Sequence, residues 1–211
     1  HSLTLTRPLR FIKLDDGFFK LDDATPSDCV YLALHALYNK KPDLVISGIN
    51  HGANLGEDIT HSVTCGAAME GVLQGIRSIA FSQFYENNSL NELGFELAKE
   101  VVKFIVLKVL NDEISLNQRE FLNVNIPATT SKNFKGYAVV PAGRRTYATH
   151  AMLNRNPRGI EYYWLGNAAL EYEKGEPSDI SKVNEGFATI TPIKLNMTSY
   201  ESLESLKGKF D

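Results

Sequence analysis

As far as Pro127, short apolar runs alternate with stretches in which apolar residues return every three or four positions, the pattern of strands interleaved with helices. Phe11-Ile12-Lys13-Leu14 and Phe18-Phe19-Lys20-Leu21 flank Asp15-Asp16-Gly17, which predicts a hairpin closed by an Asp-Gly turn. Thr25 as N-cap, Pro26 at the first helical position and Asp28 completing a capping box open a helix that carries Val30, Leu34 and Leu37 and stops near Pro42. Leu44 to Ser47 predicts a buried strand, and Thr64 to Gln74 a small-residue helix packed closely on a sheet, stopped by Gly75. Ile79-Ala80-Phe81 is the next strand. Ser89 and Glu92 predict a second capping box, opening a long helix with Leu93, Leu97, Val101, Phe104 and Ile105 toward the core. Phe121 to Ile126 adds one more strand. Leu3-Thr4-Leu5 also alternates like a strand, so the chain enters a fold already in progress at His1, as a fragment would.

The alternation argues for a three-layer α/β fold built on a Rossmann-like parallel sheet. Beyond Pro127 the rhythm changes. Tyr137 to Val140, Tyr162 to Leu165 and Phe187 to Ile190 read as strands without intervening helices, which predicts a small antiparallel extension. A final short helix follows from Thr198, where Thr198 and Glu201 would form a capping box and Tyr200, Leu203 and Leu206 recur at helical spacing.

Composition narrows the function. A chain of 211 residues with a net charge of -3 and a pI near 6.0 lacks the basic excess of a nucleic-acid groove, while small anionic substrates need only local charge. No apolar run approaches the length of a membrane span and no signal peptide is visible, so a cytoplasmic protein is expected. Cys29 and Cys65 both fall in predicted helices and read as small buried hydrophobes in a reduced compartment.

The most informative stretch runs from Ser47 to Gly56, a glycine- and asparagine-rich loop at the carboxyl end of a strand, where open α/β sheets bind their ligands. Gly48, Gly52 and Gly56 permit close approaches that a side chain forbids, and Asn50 and Asn54 offer neutral amide oxygens suited to a hard cation such as magnesium or manganese. Ser62 or a neighbour can cap the following helix, whose first N–H groups and hydroxyls can receive a phosphate. A tight turn beside a capped helix would use the same residues. No Gly-Lys-Ser/Thr follows, so the loop is not a Walker loop, nor is it a GxGxxG fingerprint.

The run Ser47-Gly48-Ile49-Asn50, with Gly52, Asn54 and Gly56, then Ser62 and Thr64, then Ala67 with Met69-Glu70-Gly71, resembles the SurE family of stationary-phase survival proteins. Further pieces match in order: Ser2 to Leu5, Thr25 to Val30, Leu122 to Pro127, Pro157-Arg158-Gly159, and Asn184-Glu185-Gly186 before Thr189 to Pro192. The resemblance implies a phosphatase that uses a divalent cation, Mg2+ or Mn2+, to hydrolyse nucleoside 5'- and 3'-monophosphates. It implies Asn50 as a metal ligand, with an aspartate pair and a serine that would precede His1. The main catalytic carboxylates are thus absent from this chain. Gly52, Asn54, Ser62 and Thr64 would contact substrate or phosphate, and Val63 stands where the commoner family form has glycine. Residues 1–127 would form the phosphatase core, and 128–211 would complete the sheet and add a hairpin extension and a helix through which the family assembles as dimers or tetramers.

Other residues have plainer readings. Asp15-Asp16-Gly17 has the letters of a metal pair but the surroundings of a turn. His51 and His61 lie where a proton donor could act, with weaker claims for His35 and His150. Arg144, Arg145 and Arg158 could meet phosphate or base but more commonly form surface ion pairs. Tyr162, Tyr163 and Trp164 suit an interface or core, and Glu70 reads as a buried carboxylate bracing the loop. The alternative to an enzyme is a nucleotide- or phosphate-binding module that does not turn over, and a third reading is a structural oligomer.

Overall fold

The computed structural model describes residues 2–85, 93–146, 151–165, 171–172 and 175–210. The hairpin forms as the Asp-Gly turn dictates, with β1 (Arg10–Asp15) antiparallel to β2 (Phe18–Asp22). Asp16 is taken up by Lys13 Nζ at 2.5 Å, so the Asp15-Asp16 pair is turn chemistry. Helix α1 (Pro26–Leu32) opens on the predicted capping box, and a wider turn over Ala33–Leu37 ends it.

Leu3 to Leu5 is not a strand. Thr4 instead donates its N–H and hydroxyl to the two oxygens of Asp28, at 2.8 and 2.7 Å, and Thr25 N–H adds a third bond at 2.8 Å. One carboxylate therefore anchors the opening segment and caps α1 together. Cys29, beside it, is exposed rather than buried.

Five strands make the central sheet: β3 (Val45–His51), β4 (Ser78–Gln83), β5 (Glu120–Ile126), β6 (Tyr137–Val139) and, after the hairpin region, a strand over Ala188–Lys194. β3, β4 and β5 run parallel in that order. The Ala188–Lys194 strand lies antiparallel to β5 and parallel to β6, so the three-layer α/β sheet is mixed. Tyr137 to Val140 and Phe187 to Ile190 thus belong to the main sheet and not to an antiparallel extension. Their apolar runs match a sheet interior as well as a hairpin, and periodicity cannot separate the two.

The remaining strands are short. β7 (Arg145–Thr146) pairs with β10 (Glu171–Tyr172), and β8 (Ala151–Arg155) pairs with β9 (Glu161–Leu165) in an antiparallel hairpin; the Ala188–Lys194 strand is β11.

Helices cover both faces. α2 (Val63–Leu73) packs its Cys65, Ala68, Met69 and Val72 against Ala80 and Phe121. α3 (Glu96–Leu110) packs Leu97, Ala98, Val101, Ile105 and Val109 on the opposite face against Ile79, Phe81, Leu122, Val124 and Ile126. The expected Ser89–Glu92 box lies outside the described residues. Phe104 turns outward rather than into the core and stacks on Tyr137, with centroids 4.7 Å apart.

Two helices differ from expectation. α4 (Asp179–Glu185) is unpredicted, yet it carries its own signals, Ser178 as N-cap and Gly186 as a left-handed C-cap. α5 (Tyr200–Leu206) is capped by Ser199, which accepts from Ser202 N–H, one residue later than the expected Thr198, whose own N–H donates to Asn196 Oδ1. No residue of α5 is buried. Among the described residues no helix is long and apolar enough to cross a membrane.

Close packing of α2 on the sheet depends on Gly71. A Cβ there would collide with Ser78 Oγ and lie 2.9 Å from Val45 Cβ. Gly71→Ala is therefore expected to cost about 1–3 kcal/mol despite its better helix propensity, measured as a lower urea midpoint at unchanged m-value.

Burial pushes the Asp28 carboxyl up, but hydrogen bonds from Thr4 and Thr25 outweigh it and hold the group below its ordinary value of 3.8. A depressed carboxyl stabilises the fold above its unfolded pKa and loses that contribution as pH falls through the folded one. Asp28→Ala is expected to lose about 1–3 kcal/mol at neutral pH and to show a shallower acid limb when unfolding midpoints are followed from pH 6 down to pH 3.

Candidate functional site

The parallel strands end in a polar row. Asn50 pairs in register with Ser82, Ser82 with Asn125, and Asn125 with Thr189, so four adjacent strands place a polar residue at one level. Asn123, one pleat earlier on β5, pairs with Thr191. Successive even steps along a strand share a face, which puts Asn123 and Asn125 beside Phe121 on the α2 side. Ser82, Asn123, Asn125 and Thr189 are all fully buried.

Buried amides are costly unless paired, and the loop after β3 pairs them. Asn54 N–H donates to Asn125 Oδ1 at 2.8 Å, and Asn125 Nδ2 returns a bond to Asn54 O at 3.0 Å. Asn123 Nδ2 donates to the same carbonyl at 2.8 Å, and Asn54 Nδ2 reaches Ser82 Oγ at 2.5 Å. Burial pushes the Cys65 thiol up to about 11, so it stays protonated and donates to Asn123 Oδ1 at 3.5 Å.

Ser47 to His51 is not loop but the end of β3, with an irregularity between Ser47 and Asn50. Gly48 makes this possible. At φ +123°, its Cβ would collide with the Phe81 carbonyl oxygen of β4. Asn50 then projects at the strand end, where its Nδ2 donates to Gly52 O at 2.9 Å. A carbonyl can only accept, so the amino group must face it. That leaves Asn50 Oδ1 without a partner among the described residues. Gly52 N–H is spent on Gln83 O at 3.0 Å, so Gly52 shapes the loop and has no free N–H to offer a phosphate.

Ser62 is the N-cap of α2 and accepts from Cys65 N–H at 3.0 Å, which leaves its own hydroxyl hydrogen free to donate. Thr64 is buried in the first turn and Val63 is half exposed. The earliest N–H groups of the helix have no intrahelical partner, and no acidic residue stands in the first turn to compete for them.

A second set of contacts fixes the far side of the loop. Asp179, completely buried at the start of α4, accepts from Gly56 N–H at 2.9 Å, Gly143 N–H at 2.8 Å and Ile180 N–H at 2.8 Å. Burial raises its carboxyl above the ordinary value, with those three bonds pulling the other way. Arg145 forms an ion pair with Asp58, and its N–H donates to Glu57 Oε2 at 3.1 Å, tying β7 to the Gly56–Thr60 turn.

The other candidates disperse. His51 is exposed and stacks on Tyr85 with centroids 4.6 Å apart; His61 is exposed, and His35 packs on Tyr31 in the α1 region. His150 lies outside the described residues. Arg158 sits in the β8–β9 turn, where its N–H donates to Asn156 Oδ1, and Arg144 lines a cleft of about 210 Å³ with Gly143, Glu176 and Ser178. Tyr162, Tyr163 and Trp164 are exposed on the hairpin. Glu70 does not brace the loop; it accepts from Gln74 one turn further along α2.

Sequence reasoning singled out no site role for Ser82, Asn123 or Asn125. The signal was the Asn-Val-Asn alternation, which puts two carboxamides on one face of an otherwise apolar strand. Among the described residues no group of three or more His, Cys, Asp or Glu could hold a metal.

Comparison with known proteins identifies the family of this fold. The family model described as Survival protein SurE matches residues 1–149. A protein of Campylobacter concisus (strain 13826) named 5'-nucleotidase SurE is 97% identical over 211 residues, covering 100% of this chain and 82% of the relative. A protein of the same name from Campylobacter curvus (strain 525.92) is 77% identical over 210 residues, again covering 100% and 82%. Among solved structures, the crystal structure of Sure protein from Aquifex aeolicus superimposes with a TM-score of 0.84 at 42% identity, covering 100% of this chain and 83% of that one. Matched in sequence from its first residue through the strand-end asparagines, and in backbone along its whole length, the chain belongs to the SurE family.

Proposed function

We propose that this chain is a metal-dependent 5'-nucleotidase that hydrolyses nucleoside monophosphates to nucleoside and phosphate. The observation that carries the reading is Asn50, whose amino group is pinned to Gly52 O while its oxygen is left unpaired among the described residues at the carboxyl end of the parallel strands. Its family relatives from Campylobacter concisus and Campylobacter curvus bear the name 5'-nucleotidase SurE, which supports the same reaction.

The donor set fits a hard cation. A neutral carboxamide oxygen on a rigid strand end suits one position of a magnesium or manganese site, and acidic oxygens from elsewhere would have to complete it. Such a cation, when bound, neutralises charge developing on the phosphoryl oxygens and lowers the pKa of a bound water. This chain's residues orient the substrate. The Ser62 hydroxyl and the first N–H groups of α2 are donors for phosphate oxygens, and Thr64 shares that turn. Asn54, with its Nδ2 committed to Ser82, offers a carboxamide oxygen suited to a substrate hydroxyl.

The same architecture suggests how the chain is divided. Residues 1–127 supply β3, β4, β5 and the loop, and 128–211 complete the sheet through β6 and β11 and add the β8–β9 hairpin and α5. Tyr163, Trp164, Leu203 and Leu206 are exposed apolar surface that a second copy of the chain would bury on self-association as a dimer or tetramer. The family resemblance extends the proposed substrates to nucleoside 3'-monophosphates.

Replacing the strand-end oxygen tests the reading. Asn50→Ala is expected to lower metal-dependent phosphate release from nucleoside 5'-monophosphates by about 100-fold or more in the natural full-length protein, the upper end of what loss of a metal-orienting group costs. Isothermal titration with Mn2+ should show the matching loss of affinity. A variant with the parent's rate and the parent's Mn2+ binding would eliminate Asn50 as a ligand.

A further inference from the structure

The geometry points to Asn125 as a positioning residue, whose carboxamide sets where the 52–56 loop, and with it the Asn50 oxygen, stands. The inference rests on the nucleotidase reading above. Asn125 is on β5, two strands away from Asn50, yet the two lie in one cross-strand row through Ser82.

The connection is short and made of named bonds. Asn125 accepts from Asn54 N–H and donates to Asn54 O, so a single side chain imitates the two-way pairing that a neighbouring strand would give. Two residues earlier, Gly52 is fixed by its N–H on Gln83 O, and its own carbonyl holds Asn50 Nδ2. The turn from Asn50 to Asn54 is therefore gripped at both ends by the β4 and β5 strand ends. Without Asn125 the buried Asn54 N–H loses its acceptor while Asn123 still holds the carbonyl and Ser82 the Nδ2, so the peptide must turn that N–H toward another partner, moving Gly52 O and the Asn50 carboxamide with it.

Only a carboxamide supplies a donor and an acceptor side by side at this reach. Serine offers one hydroxyl on a shorter stem, and leucine offers the shape with neither group. Asn123 is the internal control. It is equally buried and donates to the same Asn54 carbonyl, but its loss leaves that carbonyl and the Asn54 N–H still held by Asn125.

The test uses full-length Asn125→Ser, Asn125→Leu and Asn123→Ala, with thermal melting to identify folded protein. Mn2+ binding is read by electron paramagnetic resonance of the free ion, beside phosphate release from a nucleoside 5'-monophosphate across a Mn2+ series. Folded Asn125 variants are expected to bind Mn2+ about tenfold or more weakly, the cost usual for partners that orient metal ligands. Their rates should recover in part as Mn2+ is raised, while Asn123→Ala stays near the parent in both readouts. Lower melting temperature with the parent's Mn2+ affinity in both Asn125 variants would overturn the positioning role and leave Asn125 purely structural. If Asn50→Ala also binds Mn2+ like the parent, the nucleotidase reading of the strand end falls; if Asn50→Ala fails and the Asn125 variants do not, only the positioning inference falls.

Discussion

The pairing between the Asn125 carboxamide and the main chain of Asn54 is the constraint on which the candidate site depends. A loop leaving an edge strand must satisfy its own N–H and C=O groups, and inside a protein each one left unpaired costs about 1–3 kcal/mol. Water would satisfy them at the surface, but Asn54 is buried. The neighbouring strand has already spent its backbone on the sheet. Side-chain amides projecting from β5 are the remaining source of a donor and an acceptor, and Asn123 and Asn125 provide them from one face.

That face exists because the helices divide the work. α3 presents a broad apolar surface to one side of the sheet, and the strand residues opposite it are Ile79, Phe81, Leu122, Val124 and Ile126. α2 is short and built of small residues, so it approaches the other side closely near Gly71 and leaves the strand tips to polar groups. On the α3 side the sheet is apolar through its middle, with Gln83 and Glu120 polar at the strand ends. On the other it changes from Phe121 and Ala80 to asparagine and serine within two residue steps. This gradient puts an amide-rich floor beneath the loop that follows Asn50 at the end of β3, and places the α2 N-terminus on the same side of the sheet.

Much of this was legible in the residues. The Thr25 capping box, the Asp-Gly hairpin and the apolar periods of β4, β5 and α2 each state their structure locally, and the SurE resemblance located Asn50 and Asn54. What was hidden depended on distance along the chain. Nothing near Ala188 says that it starts a strand of the main sheet, because the partners of Ala188 and Thr189, Tyr137 and Asn125, lie far upstream. Ser178 and Gly186 did announce α4, but a seven-residue helix has too few apolar repeats to register as a period. The roles of Ser82 and Asn125 stayed hidden for the same reason as the sheet order: they are defined by contacts with Asn54, 28 and 71 residues away.

Asp179 has a bearing on the order in which the molecule is made. Its carboxylate is the acceptor for Gly56, a residue 123 positions earlier, and it also gathers Gly143. During synthesis the turn that follows Asn54 emerges from the ribosome long before the group that fastens it, and β5 likewise waits for β11. A nascent chain halted before α4 would carry every strand-end asparagine and still lack the acid that secures their loop. The bonds that fasten the Gly56 end of the loop therefore form only once α4 has been made, just ahead of the last strand of the sheet.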